Sequence, residues 1–302
     1  MTHGHLSTPQ DRRPIFAYSR RDAILVALTA VQLGLIAWGV INFSELSLAG
    51  RVLFFPACVF LAVTHHEVII HYFTHTPFFS SKLLNSLYSA VGSITVMEPV
   101  TLFGISHLEH HRYGNDAKDP VSGTTRDYTS TYQFGEAGNH EALWRYALLS
   151  PLREMTDIRD SYRSALASRA RRQVGFETAV LVAFWGAIVS IDWRFSLCYV
   201  LVVYAGQVGA CTQNYFEHYG ATPGNRMANS VSCYAPVYNF IWFNNGYHQE
   251  HHYRPAVHWT KVRALRKEML PEDQRRVVRL GHIANLPWLA RRKAAENRDR
   301  AR

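Results

Sequence analysis

The sequence predicts an all-α integral membrane protein, with about four transmembrane helices in two hairpins and a cytoplasmic, histidine-rich helical cap. Three observations predict this fold class. Several apolar stretches reach the length of a membrane span, almost all basic residues lie on one side of them, and histidines cluster beside their ends. The mean hydropathy of -0.13 hides the spans, because the polar segments between them offset the apolar ones.

The apolar stretches predict four spans, which cover residues 22–43, 52–71, 174–191 and 195–212. About 20 apolar residues are needed to cross the hydrocarbon of a bilayer. The first span carries only Asp22 at its start, the third only Glu177, and the fourth no charge. The second meets Thr64, His65 and His66 after a short apolar run. Continued as a helix, it covers about 30 Å and carries His71 to the far face of the membrane.

The basic residues are distributed asymmetrically about these spans. All but two of the 32 Lys and Arg residues lie before the first hairpin, between the hairpins or after the fourth span. The short loops within the hairpins hold only Arg51 and Arg194. The positive-inside rule therefore places both termini and the histidines in the cytoplasm, as for a protein of the bacterial inner membrane. Four buried helices of a soluble core are the alternative, and they would not require this segregation of charge.

A fifth apolar stretch covers residues 83–103 and is interrupted by Glu98 and Pro99. A straight fifth span would separate the histidines before it from those after it, so we interpret it as interfacial or re-entrant. Near the C-terminus, Val262, Leu265 and Met269 alternate with basic residues, which predicts an amphipathic helix on the membrane surface. We expect one domain over 1–302, with a cytoplasmic cap from 72–173 and 213–290 and a disordered tail at 291–302.

Two further features exclude classes of function. The four cysteines stand far apart without a C-x-x-C pair, which excludes a rubredoxin or a Cys-ligated iron–sulfur module within these residues. The net charge of +9 suits a membrane surface, and no nucleic-acid-binding motif accompanies it.

Histidines form three boxes just outside the apolar stretches. Box one is HYFTH at 71–75, box two is HLEHH at 107–111 and box three is HQEHH at 248–252. Residues three or four apart share one face of a helix, so each box points its imidazoles in one direction. A single histidine near an apolar segment is usually a packed core residue. Two H-x-x-H-H motifs are not expected by chance in a chain of this length, and together they predict metal binding.

The edge of box one is open to two interpretations. Glu67 lies one turn before His71 on the same helix face and is a candidate for orienting its imidazole. His66 lies five residues before His71, about 140° round an α-helix, and is the weaker ligand candidate. The competing interpretation is a wider box that pairs His66 with His71.

Three more candidates lie beyond the boxes. His218, at the end of the fourth span, shares a helix face with Asn214 and becomes a ninth ligand candidate. We take Asn214 and Asp119 as candidates for orienting the ligands. The alternative for Asp119 is a solvated turn that ends at Pro120.

The candidate ligands are too many for one zinc ion, which takes four. They are His71, His75, His107, His110, His111, His218, His248, His251 and His252. We take His3, His5, His140, His258 and His282 as non-ligands. Two metal ions with four or five nitrogens each fit the number of ligands, but imidazole suits Zn, Cu, Fe and Ni equally. A metal transporter would place its ligands at mid-membrane depth, and a zinc-dependent hydrolase would need fewer histidines and an acidic general base.

These motifs resemble those of the membrane fatty-acid desaturase and hydroxylase superfamily, which includes alkane hydroxylases and 1-alkene-forming decarboxylases. The resemblance rests on the three boxes and on NYFEHYG at 214–220, and it covers residues 20 to 260. The separation of His75 from His107 is also similar, which favours His71 and His75 over His66. The resemblance implies two iron ions held by the nine histidines and O2 as co-substrate. Zinc would be able to replace iron in overexpressed protein.

The resemblance further implies an O2-dependent oxidase of fatty acyl or lipid chains, foremost a desaturase. Alkyl-chain hydroxylation and decarboxylation to a terminal alkene are the alternatives, and the position of the chain in an apolar tunnel would select between them. The implied substrates are a fatty acid, an acyl thioester, a lipid or an alkane. Because no cytochrome-b5-type haem motif is visible, electrons would come from a ferredoxin or rubredoxin with its reductase. The basic face would attract such an acidic carrier.

Overall fold

The computed structural model describes residues 14–136, 138–166 and 170–283. The predicted disordered tail and two of the histidines taken as non-ligands, His3 and His5, lie outside these ranges. The described chain is mostly helical, as predicted. Its α-helices, in chain order, are α1 (Asp22–Asn42), α2 (Leu48–Thr64), α3 (His71–His75), α4 (Lys82–Val96), α5 (Val100–Tyr113), α6 (Leu143–Leu166), α7 (Arg171–Ile191), α8 (Trp193–His218), α9 (Pro236–Ile241) and α10 (His248–Tyr253).

Three smaller elements complete the described fold. A π-helix, His65–Ile70, joins α2 to α3 without a break in the helical path. A 3-10 helix covers Val262–Glu268. Two short strands, β1 (Ser232–Cys233) and β2 (Val277–Val278), pair in parallel.

Four helices of the described chain are long and apolar enough to cross a membrane: α1, the continuous path Leu48–His75, α7 and α8. This confirms the prediction of four transmembrane helices. The second and fourth are longer than their apolar runs predict, because each continues into its histidine-bearing segment. The path Leu48–His75 has 28 residues and α8 has 26. The histidines of box one and His218 therefore extend two membrane helices directly.

The outward faces of these helices are apolar. In the most hydrophobic stretch of α7 only 17% of the residues are buried within the protein. Val182 on this helix is 65% exposed, and Leu53 on α2 is 76% exposed. Exposed apolar surface of this extent is unfavourable in water, and a lipid environment removes that cost.

Several polar side chains within the spans find partners inside the protein, as a bilayer favours. The Thr29 hydroxyl on α1 lies 2.8 Å from the Tyr88 hydroxyl on α4. Gln32 Nε2 donates to the hydroxyl of Tyr199 on α8 and to the carbonyl of Thr95 on α4, both at 3.2 Å. These bonds fix α1 against the helices that surround the histidines.

The fifth apolar stretch consists of α4 and α5, which meet at an angle of 86°. Met97 ends α4 with a left-handed φ of 57°, and Pro99 precedes the first residue of α5. Glu177 on α7 fixes the bend, because its carboxylate accepts hydrogen bonds from the backbone and hydroxyl of Thr101 at 2.9 and 2.7 Å. This geometry is that of a broken span or a re-entrant segment, and a straight fifth span does not occur here.

The prediction of an amphipathic helix on the membrane surface is wrong. Val262 and Leu265 belong to the 3-10 helix and pack against Tyr234 and Tyr247 inside the protein. Met269 is also buried, with 9% of its surface exposed. The alternation of apolar and basic residues in this segment reflects packing onto the cap, because the apolar side faces protein.

Gly206 permits close contact between α2 and α8, the helices that lead to box one and to His218. A Cβ atom at Gly206 would lie 2.5 Å from the Cβ of Ala62. We expect Gly206→Leu to separate the two helices and to destabilise the fold by about 1–3 kcal/mol, as overpacking does. Thermal unfolding in detergent measures this effect as a lower Tm. Gly186→Leu on α7 is the matched control, since nothing lies within 4 Å of its Cβ position; equal Tm values for both variants would contradict this account of the contact.

Candidate metal centre

Within the described residues, the nine predicted histidines meet in two groups. The first group contains His71, His75, His107, His111 and His251, and the second contains His110, His218, His248 and His252. In each group one nitrogen of every ring lies within 4.8 Å of all the others. All four members of the second group are buried, whereas three of the five in the first group are half-buried.

Helix geometry divides boxes two and three between the groups. Successive residues of an α-helix differ by about 100° in direction. His107 and His111, four apart on α5, therefore turn to the first group, while His110 turns to the second. On α10, His251 joins the first group and its neighbour His252 joins the second.

Ordinary hydrogen bonds do not explain the distances between the ring nitrogens of the first group, because single nitrogens lie close to two others. His251 Nε2 lies 2.6 Å from His71 Nε2 and 3.1 Å from His111 Nε2. His107 Nε2 lies 2.9 Å from His75 Nε2 and 3.0 Å from His111 Nε2. A ring nitrogen has either one hydrogen or one lone pair, so it serves one such bond and not two. Convergence of the lone pairs on a shared cation explains the arrangement.

The distances between these ring nitrogens also suit ligands of a single metal ion. With metal–nitrogen bonds of about 2.1 Å, two nitrogens on adjacent corners of an octahedron lie about 3.0 Å apart. On a tetrahedron they lie about 3.4 Å apart. The nitrogen–nitrogen distances described for the first group, 2.6 to 3.1 Å, are closer to the octahedral value, so an ion held there would have room for a ligand that the protein does not supply.

The second group has buried ring nitrogens that are available to bind a metal ion. His110 Nε2 and both ring nitrogens of His252 are buried and have no hydrogen-bond partner among the described residues. His218 Nδ1 donates to the Asn229 carbonyl at 3.1 Å, which directs its Nε2 toward His248 Nε2 at 3.2 Å. Buried polar atoms without partners are costly, and a bound cation would satisfy them.

The histidines of box three are in the protonation state that metals require. The pKa values of His248, His251 and His252 lie well below the usual value of an imidazole. Burial is the main cause, and neighbouring imidazoles add to it, because both disfavour a positive charge on the ring. The rings are therefore neutral at pH 7, and neutral imidazole is the form that binds metal.

A cavity of about 120 Å³ lies against both groups. His71 and His107 of the first group and His110 and His248 of the second contribute to its wall. The remaining lining residues come mainly from the π-helix, α5 and α8, and are His66, Glu67, Glu98, Leu102, Phe103, Ser106, Thr129, Gln207, Ala210, Cys211, Asn214 and Glu217. The cavity therefore borders both histidine groups.

Comparison with known proteins agrees with this geometry. The fatty acid desaturase family model matches residues 46–284, most of the chain. The chain belongs to the fatty acid desaturase family. This confirms the resemblance inferred from the histidine boxes, and the family match contains all nine histidines.

Two curated relatives are similar at low identity. The sphingolipid delta(4)-desaturase of Schizosaccharomyces pombe is 27% identical over 230 residues, which are 67% of this chain and 57% of the relative. The putative sphingolipid delta(4)-desaturase/C4-monooxygenase of Caenorhabditis elegans is 25% identical over 210 residues, 66% of this chain and 54% of the relative. The chain therefore spans about half the length of the curated relatives that it matches.

In this member of the desaturase family, the three residues predicted to orient ligands have different positions. Glu67 contacts a histidine through its backbone, since its carbonyl accepts from His71 Nδ1 at 2.9 Å. Asn214 donates to the Tyr146 hydroxyl at 2.7 Å and lines the cavity. The Asp119 carboxylate is exposed and accepts from the backbone of Val121 and Ser122. The turn-forming alternative for Asp119 is therefore the one that the structure shows.

Two carboxylates that sequence reasoning missed lie beside the second group. Asp127 Oδ2 lies 2.8 Å from His110 Nδ1, and Glu217 Oε2 lies 3.4 Å from His248 Nδ1. Burial raises the pKa of Asp127, but the nearby His110 and hydrogen bonds from His110, Thr129 and Asn115 outweigh it and hold the pKa below its usual range. Ionised Asp127 accepts the proton of His110 Nδ1 and leaves Nε2 as the ligand atom.

Proposed function

We propose that this chain is a membrane-bound, O2-dependent lipid desaturase in which each histidine group holds one iron ion. The observation that carries the proposal is the convergence of nine ring nitrogens in two adjacent groups beside one cavity. The residues fit two ions, because buried ring nitrogens of His110 and His252 have no hydrogen-bond partner among the described residues and can coordinate a metal.

When bound, the two irons would supply the activation of O2 and the removal of hydrogen from an unactivated C–H bond. The chain's own residues perform the other tasks. The histidines hold the ions at fixed positions, and Asp127 and the Asn229 carbonyl orient two of the rings. Leu102 and Phe103 give the cavity an apolar wall against which an acyl chain can lie. The position of the chain in the cavity would decide which carbon is oxidised.

Hydroxylation is the second candidate outcome, and the name of the C. elegans relative, which includes a C4-monooxygenase, favours it. Decarboxylation to a terminal alkene is a third. A zinc-dependent hydrolase fits less well, because zinc takes four ligands and five rings already meet in the first group.

We further propose that the histidines face the cytoplasm of a bacterial inner membrane. The asymmetric distribution of Lys and Arg supports this orientation. Electrons would then come from a soluble ferredoxin or rubredoxin with its reductase. The net charge of +9 would attract an acidic carrier to this face.

Reconstitution with iron tests the proposed function. We expect the purified chain to bind two iron ions and, with a ferredoxin and its reductase, to oxidise a lipid in an O2-dependent reaction. A panel of fatty acids, acyl thioesters, N-acyl amino-diols and alkanes covers the candidate substrates. Mass spectrometry would show loss of two hydrogens for desaturation and gain of one oxygen for hydroxylation. Metal-dependent hydrolysis without any oxidised product would contradict the proposal.

A further inference from the structure

His66 is a buried histidine that lines the cavity but belongs to neither metal group. It is 8% exposed, and its Nε2 atom has no hydrogen-bond partner in the part of the chain that the structure describes. It shares the cavity wall with His71, His107, His110 and His248. His66 Nε2 is thus an unpaired, buried polar nitrogen on a side chain that lines the cavity, and it lacks a hydrogen bond that a bound molecule can complete.

The π-helix places His66 in this position. In an α-helix, residues five apart point about 140° away from each other, so His66 and His71 would face different directions. In a π-helix the backbone hydrogen bonds link residues five apart, which brings such residues closer to one face, and the π-helix begins at His65. His66 and His71 therefore both reach the cavity. Single π-turns within helices are frequent at functional sites.

Its neighbour His65 shows that the local fold is able to satisfy a buried imidazole. His65 Nδ1 lies 2.9 Å from the Leu61 carbonyl, and its Nε2 lies 3.2 Å from the Thr29 hydroxyl. Both nitrogens of His65 are thus used within the protein. The contrast with His66 Nε2 indicates that His66 is directed to a ligand.

The charge of the cavity wall restricts what that ligand can be. The lining includes the acidic residues Glu67, Glu98 and Glu217 and the amides of Gln207 and Asn214. No lysine or arginine occurs among the described residues that line it. Apart from the ions proposed for the two histidine groups, a free carboxylate would find no counter-ion among these side chains, whereas hydroxyl and amide groups would find acceptors.

We propose that His66 is a specificity-determining residue that hydrogen-bonds a neutral hydroxyl or amide group of the lipid substrate. The inference rests on the proposed function, in that the substrate occupies this cavity during oxidation. Because the same cavity contacts both histidine groups, the polar group that His66 binds lies only a few bonds from the carbon that is oxidised. The preferred substrate is therefore a neutral lipid oxidised near its polar end.

Three probes with the same C18 chain test the proposal: an N-acyl-2-amino-1,3-diol, its analogue without the 3-hydroxyl group, and the free fatty acid. For the wild-type protein we expect the diol to have the highest kcat/KM and loss of the hydroxyl to lower it about tenfold. In His66→Phe we expect kcat/KM to fall about tenfold for the diol, mostly through KM, and to change less than about twofold for the analogue. His66→Gln retains a hydrogen-bonding group and should restore part of the preference.

His65→Gln is the matched control, because His65 lies on the same turn but bonds away from the cavity. It should leave the ratio between diol and analogue unchanged. Iron content and Tm in detergent report on folding and metal binding, and the wild-type ratio tests the hydroxyl dependence without any variant. Preference for the free acid, or the same ratio in His66→Phe as in the wild type, would overturn the assignment of His66 and leave the proposed function intact. An iron-loaded wild type that oxidises none of the substrate panel would instead refute the proposed function.

Discussion

Replacing His251 with alanine should remove one of the two iron ions and lower lipid oxidation by at least about a hundredfold. His251 Nε2 lies 2.6 Å from His71 Nε2 and 3.1 Å from His111 Nε2, so it joins box three to boxes one and two. Among the described residues, His251 is the one that α10 contributes to the first group. Its loss therefore removes the ligand that box three gives to this group. The iron content per chain and the turnover rate with reductase measure the effect.

His252→Ala gives a sharper test when it is compared with His251→Ala. The two residues are neighbours in sequence, yet each belongs to a different group. If the chain holds two independent ions, each variant keeps one iron and the double variant keeps none. If all nine histidines hold a single ion, each single variant loses all of its iron, which would contradict the two-ion arrangement. His140→Gln is the control, because His140 lies outside both groups and should retain full iron content.

The spans and the histidine boxes were predictable because both depend on local patterns. An uncharged run of about 20 residues suffices to indicate a membrane helix, and spacings of three and four indicate a shared helix face. The division of the histidines between two groups was not predictable in this way. It depends on how α3, α5, α8 and α10 face each other, which is set by long-range packing such as the contact of Gly206 with Ala62.

The π-helix shows where periodicity fails as a guide. The α-helical repeat put His66 on a different face from His71, and six residues of π-helix change that relation. No feature of the sequence HHEVII distinguishes a π-helix from an α-helix. The grouping places His75 beside His71 and leaves His66 in neither group. The position of His66 in the cavity required the structure.

Asp127 was missed because it lies in a loop without a periodic pattern. Sequence reasoning chose Asp119 for its closeness to box two along the chain. In the structure, Gly114 ends α5 with a positive φ of 58°, and the loop folds back to bring Asp127 under His110. Asn115 fixes this return, because its side-chain oxygen accepts from the backbone of Thr131 at 2.7 Å. Distance along the chain is therefore a poor measure of contact in this cap.

Asp127→Asn should weaken iron binding at the second histidine group about tenfold to a hundredfold, while the first group keeps its iron. The Asp127 carboxylate makes four described contacts: Oδ2 with His110 Nδ1 and the Asn115 backbone, and Oδ1 with the backbone and hydroxyl of Thr129. An amide retains only one acceptor oxygen and has no negative charge, so it holds the tautomer of His110 less firmly.

Iron retention during titration with a chelator measures this loss, and residual turnover should fall in parallel. Asp119→Asn is the matched control, because the Asp119 carboxylate is exposed and accepts only within its own turn in the hydrogen bonds that the structure describes. It should bind iron as tightly as the wild type. The opposite result, with Asp119→Asn losing iron and Asp127→Asn retaining it, would mean that the ligand histidines are oriented from the exposed turn. The hydrogen bond between buried Asp127 and His110 would then have no role in holding the metal.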